Sequence, residues 1–125
     1  MKSIFIIIFL ITNVIAQDVL PYDATKVVNE KELNLLLTNK RGIKHKGIVY
    51  YVESNLNTIT AYKKEGAIKW KLDVSKVVLL DEGYVGEPCV RFMKIDKNKL
   101  IFVYAKHEYG KIELKTGKVI YLGAD

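Results

Sequence analysis

The sequence predicts an all-β fold, with two blade-like antiparallel sheet repeats forming a small sandwich or partial barrel. Three observations carry this. Runs rich in β-branched and aromatic residues alternate with period two along most of the chain. Short segments bearing Gly, Asn or Asp separate them and supply turn chemistry. The stretch 47–72 also returns in weaker form at 100–122, so the strands come as an internal repeat.

The chain opens with Met1-Lys2-Ser3, an apolar run over residues 4–15, and Ala16 before Gln17-Asp18. A short basic start, an apolar stretch and a small residue before polar sequence form the pattern of a secretory signal peptide, with cleavage expected after Ala16. Twelve residues fall short of the roughly 20 needed to span a bilayer as a helix, so no stable membrane span is expected. Without residues 1–16 the chain keeps 109 residues, one domain over 17–125, and its formal charge goes from +6 to +5 with the loss of Lys2. The expected location is periplasmic or extracellular, which sets nucleic acid aside as a partner. Basic residues are spread out except for Lys40-Arg41-Gly42-Ile43-Lys44-His45-Lys46, a lysine-rich loop able to meet an anionic surface. Cys89 is the only cysteine, so no intramolecular disulfide forms and an apolar core must hold the domain. Alternation in Pro88-Cys89-Val90-Arg91-Phe92-Met93 predicts that Cys89 is a buried strand residue.

Residues 26–39 read two ways. A short N-terminal helix would gather Leu33, Leu36 and Leu37 on one side. As strands the segment divides at Asn29-Glu30-Lys31, with Lys26-Val27-Val28 before and Leu33-Asn34-Leu35-Leu36-Leu37 after. From residue 47 the pattern is clear. Ile48-Val49-Tyr50-Tyr51-Val52-Glu53 and Thr58-Ile59-Thr60-Ala61-Tyr62 are strands, and Gly66 closes a turn into Ala67-Ile68-Lys69-Trp70-Lys71-Leu72, whose apolar face is Ile68, Trp70 and Leu72. Val77-Val78-Leu79-Leu80 is expected as a strand covered on both faces. The acidic, glycine-bearing loop 81–88 follows, then strands over 89–95 and 100–106, a turn at His107-Glu108-Tyr109-Gly110, and a hairpin around Thr116-Gly117.

Shifting the chain by 53 residues places Ile48 on Ile101, Tyr50 on Val103, Val52 on Ala105, Ile59 on Ile112 and Ala61 on Leu114. With two residues dropped from the turn, Gly66 meets Gly117, Ile68 meets Val119 and Trp70 meets Tyr121. The segment Ile59-Thr60-Ala61-Tyr62-Lys63-Lys64-Glu65-Gly66-Ala67-Ile68-Lys69-Trp70 resembles the blade signature of quinoprotein-dehydrogenase-like (PQQ-like) β-propellers. The resemblance implies that Ala61 packs tightly in its strand, Gly66 makes the turn and Trp70 docks on a neighbouring blade. In the second copy Gly117 is kept, while Leu114 and Tyr121 stand for the alanine and tryptophan. A closed propeller takes four or more four-stranded blades, and about two fit here. Neither a quinone pocket nor a calcium site is therefore carried over, and no cofactor or metal is expected. Two such repeats must fold onto each other or assemble with further copies.

Catalytic constellations are thin. After residue 16 the serines are Ser54 and Ser75 and the histidines His45 and His107, with no nucleophile-elbow pattern or metal-ligand spacing around them. Asp81, Glu82 and Glu87 lack the alternation of a calcium loop. Tyrosines recur in the strands and their adjoining loops, and tyrosine beside lysine suits protein or glycan contact. The candidate binding residues are Asp81, Glu82, Tyr84, Glu87, His107 and Tyr109, in the loops that the repeat holds in place. The expected function is that of an exported binding module without catalytic activity, whose partner is a second copy or another secreted protein. The alternative is a periplasmic immunity or inhibitor protein that neutralises an exported toxin or enzyme.

Overall fold

Alternating strand sequence and short turns fold into two five-stranded sheets in the computed structural model, which describes residues 19–80 and 83–124. The first sheet contains β1 (Val27–Val28), β3 (Gly42–His45), β4 (Ile48–Val52), β5 (Thr58–Tyr62) and β6 (Ile68–Asp73), side by side in that order. The second contains β2 (Glu32–Asn34), β7 (Val90–Asp96), β8 (Lys99–Tyr104), β9 (Glu108–Glu113) and β10 (Val119–Ala124), with β2 and β10 at its edges. Strands β3–β6 and β7–β10 are each an antiparallel meander of four. The segment before Gly42 adds a fifth strand to both, β1 parallel to β3 and β2 antiparallel to β7. The fold is all-β and mainly antiparallel, and the sheets lie face to face without closing into a barrel.

Residues 27–28 and 32–34 follow the strand reading, divided over Asn29-Glu30-Lys31, while Lys26 falls in a 3₁₀ turn and Leu35, Leu36 and Leu37, expected to extend the second strand, form a turn after Asn34. The helical alternative does not form. The helical elements among the described residues are single 3₁₀ turns at Ala24–Lys26 and Val74–Lys76. Each begins with an aspartate whose Oδ1 accepts from the backbone N–H two residues on, at 3.0 Å for both Asp23 and Asp73.

The core fills the space between the sheets. Tyr50, Ala61 and Trp70 are cross-strand neighbours on β4, β5 and β6. Strands two apart are separated by about 9.5 Å, yet the Tyr50 and Trp70 ring centroids are 5.8 Å apart. The fully buried methyl of Ala61 leaves room for the two rings to lean together over it. From there the Trp70 Nε1–H donates to the carbonyl oxygen of Leu114, 2.7 Å away in the second sheet's hairpin. A second tie runs from the Tyr104 hydroxyl to Asn57 Oδ1, 3.0 Å, beside a backbone bond from Val90 N–H to Leu56 O, 2.8 Å. Facing these, Met93, Leu100, Phe102 and Ile112 are fully buried.

Several expectations change. Glu108, Tyr109 and Gly110, expected in a turn, begin β9, and Ile68, expected on an apolar face, is 54% exposed. Residues 77–80 are not a strand: Val77 and Val78 N–H both donate to Val74 O, which coils the segment and takes its amides away from a ladder. Val78 enters the core, whereas Leu79 is 84% exposed. Cys89 is half-buried and precedes β7 rather than sitting inside it, with its carbonyl accepting from Ala105 N–H. Finally, Ile101 and Val103 are half-buried on the outer face of β8, and Leu100, Phe102 and Tyr104 point inward. Matching Tyr50 to Val103 is therefore one residue out, and with a side-chain period of two such a slip exchanges the faces.

Candidate functional site

The β8–β9 turn places His107 between two clefts. Ala105 takes a positive φ of 59° there, which swings Lys106 and His107 out from the strand ends. On one side, a cleft of about 420 Å³ runs between this turn and the loop after Val78, with Leu80, Tyr84, Val85, His107 and Glu108 on its walls. Tyr84 packs its half-buried ring on the core from the otherwise irregular loop. On the other side, a groove of about 280 Å³ is formed by Ile101, Val103, Lys106, His107 and Tyr109. Register explains it: Phe92, Val103 and Tyr109 are cross-strand neighbours on the outer face, and Ile101, Lys111 and Ile120 form the next row.

Of the sequence-derived candidates, Tyr84 and His107 share the first cleft, and His107 and Tyr109 share the second. Glu87 is exposed and lines neither. Asp81 and Glu82 lie outside the described residues, as do residues 1–16 and the expected cleavage point. Not foreseen were Glu108, whose Oε2 accepts a hydrogen bond from the Tyr121 hydroxyl, and the outward Ile101 and Val103. Their signal lay in the alternation of Leu100-Ile101-Phe102-Val103-Tyr104, where both faces are apolar.

The two sheets treat their outer faces differently. On the first, Val49, Tyr51 and Tyr62 form a buried cluster beneath Tyr22 and Val27. Tyr22 lies 5.6 Å from the Tyr51 ring and 5.1 Å from the Tyr62 ring. Below them Glu53 Oε2 accepts from the Tyr62 hydroxyl at 2.6 Å and from Thr60 Oγ1 at 3.0 Å. Burial first, then the Glu53 carboxylate, pushes the Tyr62 phenol up to about 12. Beside this cluster Arg41 Nη2 donates to the carbonyls of Val52 and Glu53, at 3.2 and 3.0 Å, so its guanidinium is engaged within the fold. On the second sheet, Phe92, Ile101, Val103 and Tyr109 stay half-buried along the open groove. The edge strand β10 exposes Ile120 and Leu122 beside them.

Among the described residues no three His, Cys, Asp or Glu side chains come together as a metal site, and no helix is long and apolar enough to cross a membrane. His45 and His107 line different clefts. Ser75 Oγ donates to Asp73 Oδ1 at 2.5 Å, a turn contact with no histidine in it. Compared with family models and with curated proteins, the chain matches none.

Proposed function

We propose that the protein is an exported binding module without catalytic activity, delivered by a leader cut after Ala16, and that its partner is a protein. The partner docks on the outer face of the second sheet, from Tyr84 and His107 across Tyr109 to the edge strand β10. The observation that carries this reading is the asymmetry between the sheets: the aromatic cluster on the first is roofed by Tyr22 and Val27, and the apolar side chains on the outer face of the second have no such roof among the described residues. Strand β10 adds Val119-Ile120-Tyr121-Leu122, a stretch without charge or proline. No described strand pairs with its outer side, and an edge of this kind is a template for another strand. The two meanders fit PQQ-like blade repeats in strand number, and the reading of Ala61, Gly66 and Trp70 as scaffold leaves recognition to the surface around them.

The test immobilises the protein lacking residues 1–16, exposes it to the exported proteins of its own cells, and measures self-association by sedimentation in parallel. Wild type retains a defined partner or forms a dimer. Tyr109→Lys and Ile120→Lys lose that interaction, and Ile68→Lys, at an exposed position of the other sheet's edge strand, keeps it. Equal behaviour of the three variants, or a monomer that retains nothing, overturns the reading.

A further inference from the structure

We infer that a cleft between the two sheets, where the β3–β4 and β7–β8 turns meet, binds a compact ligand carrying two phosphate groups. The cleft measures about 370 Å³, and Lys46, Lys69, Lys97 and Lys115 surround it, one each from four separate segments. No carboxylate lines it. The ion pair seen among the described residues, Lys99–Glu113 at 3.6 Å, does not involve these lysines. His45 stands in the same wall, and its imidazole is held below its ordinary value by burial first, then by the charges of Lys46 and Lys31.

Two further observations point to a ligand. Lys46 and Lys97 both open two-residue hairpin turns and both take positive φ, 50° and 57°. Turn chemistry favours Gly, Asn or Asp at such positions, so the turns themselves do not explain a lysine at either one. Tyr50 borders the cleft and is 2% exposed, and its hydroxyl makes no hydrogen bond to any described residue. Burial pushes its phenol up and keeps it a donor. Because no buried side-chain polar atom among the described residues is left without a partner, this hydroxyl reaches solvent, and it can donate to an anion held among the lysines.

Charge and shape narrow the ligand. A phosphate monoester carries about −1.5 to −2 at neutral pH, so four unneutralised ammonium groups match two of them. Lysine is a point charge on a mobile stem and suits tetrahedral, doubly charged groups, whereas planar carboxylates favour the arginine fork. The volume is near the lower limit of small-molecule sites, and Ile48 and Leu114 give it an apolar floor. A sugar or polyol bisphosphate, free or presented as a lipid headgroup, has this chemistry. The cleft is separate from the docking face of the second sheet and stands independently of it.

Calorimetry on the protein lacking residues 1–16, with fructose bisphosphate, fructose monophosphate and inorganic phosphate, tests the inference. The bisphosphate binds tighter than the monophosphate by about tenfold or more, and Lys46→Gln and Lys97→Gln each weaken it by about tenfold. Tyr50→Phe weakens it as well. Lys44→Gln, on the exposed outer side of β3, leaves it unchanged. Vesicles of phosphatidylcholine carrying a bisphosphorylated inositol lipid distinguish the source. Retention on them that Lys46→Gln abolishes, without heat from the soluble bisphosphate, assigns a headgroup; heat from the soluble compound assigns a free ligand. Absence of binding in both formats overturns the inference, as does equal weakening by Lys44→Gln and Lys46→Gln.

Discussion

Trp70 and Gly117 meet across the sandwich so closely that a Cβ built on Gly117 would lie 2.7 Å from the indole Cγ. Gly117 also holds φ at +78°, and its turn carries the Leu114 carbonyl that Trp70 Nε1 reaches. Removing the indole leaves a cavity and an unpaired carbonyl, so Trp70→Ala should cost about 3 to 5 kcal/mol. Gly117→Ala combines left-handed strain with a clash and should cost about 2 to 4 kcal/mol. Made together they should cost less than the sum, because without the indole only the backbone strain remains. Urea unfolding of the two single variants and the double variant measures this coupling.

Alkaline pH should loosen the first sheet. The Tyr62 phenol titrates near 12 in the folded chain, against about 10 when unfolded. The folded state holds this proton more tightly, so the associated stability is complete below pH about 10 and is lost as pH rises to about 12. Burial moves Tyr50, Tyr51 and Tyr104 in the same direction. Tyr62→Phe should therefore flatten the fall without abolishing it, as read by denaturant midpoints across that window.

The roof over the first sheet and the open face of the second predict opposite responses. Tyr22→Ala uncovers the Tyr51 and Tyr62 rings and should destabilise by about 1 to 2 kcal/mol. Ile120→Lys alters a residue 49% exposed and should stay within about 0.5 kcal/mol of wild type. Thermal unfolding of the pair checks the contrast and shows whether Ile120→Lys is a fair probe of binding.

Removing one lysine should be felt by its neighbour. Burial and the Lys46 and Lys31 charges hold His45 low, so Lys46→Gln should move its titration upward toward the ordinary imidazole range. NMR of the imidazole ring protons reads this directly. An unchanged midpoint would mean that burial and Lys31 set the shift without Lys46.

Strand identity was legible wherever a turn residue followed a clean alternation, as in 48–52 and 58–62. The blade resemblance, rather than alternation, supplied the expected roles of Ala61, Gly66 and Trp70, which are a fully buried small residue, a turn glycine at φ +92° and an indole bonded to the other sheet. Residues 77–80 misled because Val-Val-Leu-Leu is apolar enough for a strand, while the turn that Asp73 caps decides their conformation. The faces of β8 misled because apolar side chains occupy both, so alternation alone could not say which set is inner. Tyr109, expected in the same turn as His107, lies in β9, whereas Tyr84 and His107 were found as loop residues. The four-lysine cleft was not, since Lys46, Lys69, Lys97 and Lys115 are scattered in sequence and only the packing of one sheet on the other gathers them.

The eight residues from Val27 to Asn34 give one strand to each sheet, and that arrangement orders the assembly of the molecule in time. The first meander can form from neighbouring segments between Gly42 and Asp73, but β2 must wait for β7, about sixty residues further along. A chain emerging from its N-terminus thus carries Leu33 uncovered until Met93 arrives opposite it. The segment that opens the first sheet also closes one edge of the second, so its pairing with β7 reports that the chain has been delivered as far as Asp96.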